Sequence, residues 1–476
     1  MPRTTLALTS FVSGEFSPKM DGRTDFEKYN SGAKTLENFL VHPQGAATRR
    51  VGTQFIAEVK SSAAKTRLIP FEFSTTQTYI LEFGNTYIRF FKDKGQILSG
   101  GSAYEISSPY LTAELFDIKF AQSADVMYIT HPNHEVMKLS RTGHTSWTLA
   151  QVDFTDGPYL ATNSTTTTLT PASAGVATGV NITASAVTGI NGGAGFQTTD
   201  VGRIISFNSG KAKITARSST TVVACTITTA FTNTNATEAF NLGAFSDTTG
   251  HPSCVSFFEQ RLVFAGTTDE PQTLFFSKAG DYENMTTGTN ADDAMVYTIA
   301  SNQVNAIRYM KAVRTLVVGT TGGEFTVSAD GTDASITPTN ITIKRQSSFG
   351  SANVDAIPAG NAILFLQKAK RKIRELQYNF DSDGYQAPDL TILNETVTDT
   401  GINEMSYQQE PGSNIWCVRD DGVLACLTYQ RSENVIAWSR HIFGGVFGSG
   451  KAVCESVASI SGVLTEDEVW VIVKRT

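Results

Sequence analysis

The chain has 476 residues, 40% hydrophobic and 17% charged, which is enough apolar material for a sizeable core and too little charge for a disordered tail. Asp and Glu outnumber Lys and Arg by 45 to 38, a net charge of −7, so a basic stripe that grips duplex DNA is not expected. No apolar run approaches the ~18 residues of a membrane span, residues 6–10 break the apolar stretch a signal peptide needs, and five scattered cysteines make no disulfide framework.

In chain order, residues 11–18 read as an extended arm, residues 25–38 as a short helix weakened by Gly32, and residues 36–54 as two strands around positions 43–46. Beyond residue 60, short β-rich runs broken by Gly, Asn, Asp or Pro take over. Hairpins are predicted over residues 79–95, 126–141, 261–277, 315–328, 362–378 and 414–429, with a last strand over 468–474. Their first strands begin near residues 79, 126, 262, 315, 363, 415 and 469. Every interval but that from 126 to 262 is about 50 residues, the repeat of a four-stranded propeller blade. An irregular β sandwich is the plainer alternative.

The long interval is explained if residues 158–246 are an insertion. That stretch is rich in Thr and Ser and holds six charged residues: Asp200, Arg203, Lys211, Lys213, Arg217 and Glu238. Its alternating apolar runs favour a small β barrel or sandwich over a linker, with Ile204, Ile205, Phe207, Val222, Val223 and Ile227 as core candidates. The predicted fold is therefore mainly β: an irregular β-propeller-like core, an inserted small β domain and an extended N-terminal arm. The predicted segments are 1–60, 61–157, 158–246 and 247–476.

Motifs that carry chemistry stop short of completion. Residues 445–451 have the spacing GxxxxGK, but Ala452 stands where a phosphate-binding loop needs a Ser or Thr hydroxyl for magnesium. A turn between strands is the better reading. Pro132 between His131 and His134 rules out a helical zinc motif and favours a hairpin turn. The Asp381-Ser382-Asp383-Gly384 run lacks a third ligand and has Ile392 where a calcium loop ends in Glu. Lys368, Lys370, Arg371, Lys372 and Arg374 form a dense basic cluster at a hairpin turn, suited to solvent, an acidic neighbouring subunit or nucleic acid. Asp292-Asp293 and Asp420-Asp421 are acidic pairs with no partner evident in sequence. A two-residue loop at Asp421-Gly422 would place Cys417 opposite Cys426, as packing neighbours or as a cross-strand disulfide. No catalytic, cofactor or metal residue is predicted.

One resemblance covers nearly the whole chain outside the insertion. Ser13-Gly14-Glu15-Phe16-Ser17-Pro18, Gly22-Arg23-Thr24-Asp25, Tyr29-Asn30-Ser31-Gly32, Leu36-Glu37-Asn38-Phe39 and Arg49-Arg50-Val51-Gly52-Thr53 resemble the opening of tail nozzle, or tail tubular, proteins of short-tailed bacteriophages. Many relatives carry Arg-Pro-Gly-Thr where this chain has Arg50-Val51-Gly52-Thr53. Residues 67–74, 257–264, 300–307 and 438–441 extend the match.

The resemblance implies a structural virion protein, not an enzyme. It would form a homo-hexameric ring below the portal and adaptor, assembled in the host cytoplasm. The lumen would pass the genome without holding it, and the outside would dock tail fibres or other tail proteins. A net negative charge suits a conduit along which DNA slides. The arm, through Phe11, Ser13, Gly14, Glu15, Phe16 and Pro18 with Arg49 and Arg50, is expected to reach a neighbouring subunit rather than fold back. Similar chains continue past the final strand, so this strand either ends a short chain or completes a blade with N-terminal strands. Two other classes stay open: a carbohydrate-binding surface propeller, which would share the hairpins and the Thr-rich domain, and a tail-associated glycan hydrolase, which needs a spaced carboxylate pair that the sequence does not offer.

Overall fold

Residues with β-branched and aromatic side chains in short runs form strands here, and the central strands pack on both faces. In the computed structural model, which describes residues 8–301, 303–331, 334–462 and 466–476, seven antiparallel sheets follow one another along the chain. Sheet I holds Arg67–Ser74, Gln77–Gly84, Tyr87–Lys92 and Glu105–Ser107. Sheet II holds Lys119–Ser123, Val126–His131, His134–Gly143 and Ser146–Gln151. Sheet III holds Cys254–Phe258, Arg261–Ala265, Thr273–Phe276 and Met295–Thr298. Sheet IV holds Ile307–Ala312, Leu316–Thr320, Gly323–Ser328 and Thr342–Ser347. Sheet V holds Ile357–Ala359, Ala362–Leu366, Ile373–Asn379 and Gly384–Gln386. Sheet VI holds Ile402–Gln408, Asn414–Arg419, Leu424–Gln430 and Val435–His441. Sheet VII has two strands, Val453–Ile460 and Glu468–Lys474.

Each junction between consecutive sheets has its own apolar cluster, and the seven junctions close a ring. Phe71 and Leu81 of sheet I meet Ile129 and Leu139 of sheet II. Tyr128 and Val136 of sheet II meet Leu262 and Phe264 of sheet III. Val263 and Phe276 meet Leu316 and Val318 of sheet IV. Tyr309 and Val317 meet Ile363 and Phe365 of sheet V. Leu364 and Ile373 meet Ile415 and Leu427 of sheet VI. Trp416 and Cys426 meet Cys454 and Val457 of sheet VII. Ala458 and Ile460 then meet Leu68 and Ile80 of sheet I. A ring of face-packed sheets in chain order is a β-propeller. Each fully buried Leu, Ile or Phe contributes about 1.5–3 kcal/mol, so the junctions supply most of the driving force.

The first strands carry charge towards the axis. Glu404 of sheet VI accepts from Arg67 Nε of sheet I at 2.9 Å and, from sheet VII, Ser456 Oγ at 2.6 Å and Val457 N at 2.9 Å. One carboxylate thus ties the last two sheets to the first. Asp355, leading into sheet V, pairs with Lys119 of sheet II at 3.5 Å and Lys311 of sheet IV at 3.2 Å. Burial opposes its ionisation, yet Lys311 and Lys119 hold the Asp355 carboxyl down at about 2.

Between sheets II and III the chain builds a second body. Leu169–Pro171, Val180–Ala184, Val222–Thr229, Gly210–Arg217, Ile204–Phe207 and Phe240–Leu242 form one six-stranded sheet in that spatial order. Bonds from Leu169 N to Thr237 O (2.9 Å) and back (3.1 Å) join its two ends into a small barrel. Ile205, Phe207, Val223 and Ile227 lie in its core with Phe196 and Phe240, whereas Ile204 and Val222 point to the half-buried outer side.

Three local readings need correction or narrowing. The helix expected over 25–38 is a single 3-10 turn, Glu27–Ser31, because Gly32 continues as extended backbone. Residues 1–7, part of the stretch read against a signal peptide, lie outside the described residues. Cys417 faces Ala425 and Cys426 faces Trp416, because the turn spans Asp420 to Val423 and Val418 pairs with Leu424. The one-residue offset sends the two thiols to opposite faces, Cys417 to the junction with sheet V and Cys426 to that with sheet VII. Both stay free and buried.

Candidate interaction surface

The N-terminal arm folds back on its own sheet, contrary to the expectation that it reaches away. Gly14–Glu15 runs parallel to Gly32–Ala33, and Gly14 bridges to Trp438 on the outer edge of sheet VI. Gly14 has φ +66°, and a Cβ there would collide with the Trp438 backbone, so the close approach requires glycine. Glu15 is buried, accepts from Leu36 N at 2.8 Å and pairs with Arg440 at 2.7 Å. Asn394 Nδ2 donates to the Glu15 carbonyl. Phe16 stacks on Tyr29 at 6.4 Å, and Ser13 Oγ meets Ser31 Oγ at 2.8 Å. Phe11 packs against Leu36, Val41, Val435 and Ala437. Pro18 opens a one-turn 3-10 helix whose residues are not buried. The arm's apolar anchors do have a core to join: the edge strand of sheet VI leaves backbone groups and Trp438 to be covered.

Arg49 and Arg50 lie elsewhere. Arg49 ends the exposed strand Ala47–Arg49, and the Arg50 guanidinium sits 5.1 Å from the Phe443 ring centroid. From there residues 51–59 belong to no helix, strand or turn. Among the described residues they make no backbone–backbone hydrogen bond. Ile56, Ala57 and Val59 pack on the cluster between sheets VII and I, leaving Val51 80% and Phe55 70% exposed.

Sheet VII is the sheet that stays short. Its outer strand Glu468–Lys474 has a ladder partner on one side only among the described residues, and Val469, Trp470, Val471 and Val473 are half-buried. The neighbouring hairpin, Val446–Phe447 and Gly450–Lys451, exposes Val446 and Phe447. This hairpin is also where the GxxxxGK spacing falls. A strand, Val453–Ile460, follows it instead of the helix a phosphate loop needs.

Two sheets away in the ring, sheet V carries an exposed hairpin tip. Its turn between Ile373–Asn379 and Gly384–Gln386 holds Phe380, 87% exposed, beside exposed Asp381 and Asp383. The basic run is at the other end of this hairpin. There Lys372 pairs with Asp389 at 2.9 Å and the Arg374 guanidinium stacks 3.4 Å from the Phe349 ring centroid.

Three of the four carboxylates in the acidic pairs are engaged. Lys278 holds Asp292 at 3.5 Å and Asp293 at 3.0 Å, and Arg419 holds Asp421 at 2.7 Å. His131 and His134 flank a hairpin turn, and the fold adds Glu114, so that one ligand atom from each lies within 4.8 Å of the others. Sequence gave no signal for Glu114, which stands in the connection between sheets I and II. The hydrogen bonding does not suit a cation. His131 Nδ1 accepts from Asn133 N at 3.1 Å, which leaves the proton of the neutral ring on Nε2 and no lone pair there. His134 Nε2 is already 2.8 Å from Glu114 Oε2. Burial pushes the His131 pKa down, favouring that neutral ring. The cluster fastens a turn.

No family model and no curated protein matches the chain. Among solved structures it is similar to BamB from Moraxella catarrhalis, at 9% identity and TM-score 0.38, over 88% of this chain and 97% of that one. It is similar to YCF48 bound to D1 peptide, at 9% identity and TM-score 0.38, over 87% and 90%. The Myceliophteria_thermophila Cps50 (Swd1) β-propeller domain aligns at 8% identity and TM-score 0.38, over 86% and 97%. At these scores the likeness is loose, and the propeller rests on the seven sheets and the clusters that join them. The chain is a β-propeller with a barrel inserted between its second and third sheets.

Proposed function

We propose that the chain is a structural scaffold subunit that assembles head to tail into the nozzle ring of a short-tailed phage tail. The observation that carries this reading is the surface: among the exposed large apolar side chains of the described residues, one group gathers at sheet VII and the most exposed stands on sheet V. Val51, Phe55, Val446 and Phe447 surround sheet VII, and Phe380 stands on sheet V. Subunits of a heterologous ring need two such different faces. The sequence resemblance supplies the identity of the ring, with adaptor, fibre and genome as its partners. The axis of each propeller carries the Arg67–Glu404 and Lys119–Asp355–Lys311 pairs. In this reading the genome therefore passes through the lumen between subunits and not through a propeller. The docked arm then serves as the subunit's own edge cover. The test is electron microscopy of the purified full chain: rings are expected, and a chain that stays monomeric at millimolar concentration overturns the reading.

A further inference from the structure

We infer that the short sheet VII is the receptor for the Phe380 hairpin tip of a second copy of this chain. The inference rests on the head-to-tail reading above and specifies its contact. Among the described residues, six sheets of the propeller have at least four strands, and sheet VII has two. Among the described residues its outer strand therefore presents unpaired backbone N–H and C=O groups along one edge, and an open, apolar edge is a template for another chain. The side chains around it are an exposed apolar collar, Val51, Phe55, Val446 and Phe447.

Charge selects the occupant. At the Lys474 end of sheet VII the carboxylates are met by lysines, Glu455 by Lys474 at 4.0 Å and Glu37 by Lys451 at 3.8 Å, whereas at the other end Glu468 meets Lys94 at 3.7 Å and Asp467 accepts only from the Gln409 and Glu410 backbone among the described residues. Arg49, Arg50 and Arg475 are left over, and none of them forms an ion pair among the described residues. The receptor is thus apolar, with surplus positive charge at its Arg475 end. The sheet V tip is the converse: an exposed aromatic ring flanked by Asp381 and Asp383, with only Asp383 engaged, by the Tyr378 hydroxyl at 2.5 Å. A protruding ring between two carboxylates fits an apolar collar rimmed by arginines. Because tip and receptor are on different sheets, the contact leaves one of each free, and repetition closes a ring or extends a filament.

The experiment uses the full chain. Phe380→Ser with Asp381→Lys and Asp383→Lys changes only exposed turn positions, and its melting temperature is expected to match wild type. Sedimentation and electron microscopy should show rings for wild type and monomers for this variant. Adding Arg49→Glu and Arg475→Glu in trans, on a second chain mixed with the first, should restore mixed assemblies. Rings that persist in the triple variant overturn this contact while leaving the ring reading standing. A wild-type chain that never self-associates overturns both. Assembly lost without rescue by the arginine variants overturns the pairing of tip with sheet VII.

Discussion

The propeller and the inserted barrel are both β structures, yet they are held together in opposite ways. The barrel's core comes from residues 169–242, its sheet is closed by the Leu169–Thr237 bonds, and its one buried ion pair is local. Arg203 there donates to Asp200 at 2.9 Å, Asn191 at 2.7 Å and the Gly243 carbonyl at 2.7 Å. The propeller depends on partners far apart in sequence: Glu404 binds Arg67 and Ser456, and Leu68 N donates to Ser456 Oγ at 3.0 Å. A body built from local contacts folds without the rest, whereas a ring is stable only once its last sheet meets its first. The barrel can therefore be carried as an attachment, anchored by Lys211 to Asp156 at 2.7 Å, without sharing the propeller's cooperativity.

The sharpest way to separate the two bodies is a pair of charge deletions. Glu404→Ala leaves the Arg67 guanidinium buried without its carboxylate and releases Ser456. It should lower propeller stability by about 4 kcal/mol, read as an earlier denaturant midpoint for Trp416 and Trp438 fluorescence. Arg203→Ala should cost the barrel about 3 kcal/mol, because Asp200 is fully buried, and leave that tryptophan transition in place. An equal shift in both bodies would erase the distinction. Gly14→Val is expected to cost about 2 kcal/mol and to free the arm, seen as proteolysis near residue 20 in a chain that remains folded. The smallest effect is pH-dependent. Burial, and then Arg50, push the His441 pKa down to about 3. The folded ring stays neutral while the unfolded one protonates below about 6.5, so its contribution is complete above that pH and declines as pH falls towards 3. His441→Gln should flatten the stability slope between pH 6.5 and 5 by about 1 kcal/mol per pH unit on average.

The hairpins legible in the sequence are the second and third strands of sheets I to VI. Leu316–Thr320, Ala362–Leu366 and Arg261–Ala265 are buried along their whole length between two neighbouring sheets, so they read as continuous apolar runs. The first strands escaped notice because Arg67, Lys119, Lys311 and Glu404 break their pattern, and those charges find partners only across the axis. The inserted domain showed itself through composition and through the long interval. The arm's docking was invisible because its anchor, Trp438, lies over 400 residues away and the glycine that permits contact reads in sequence as flexibility. The open edge of sheet VII and the exposure of Phe380 likewise depend on what does not pair, which spacing cannot report.

Hydrogen exchange on the full chain, wild type against Glu404→Ala, tests ring closure most directly. The account predicts that protection falls together in Arg67–Ser74, Ile402–Gln408 and Val453–Ile460, while Gly210–Arg217 and Val222–Thr229 of the barrel keep theirs. Loss confined to Ile402–Gln408, or shared by the barrel strands, would contradict it.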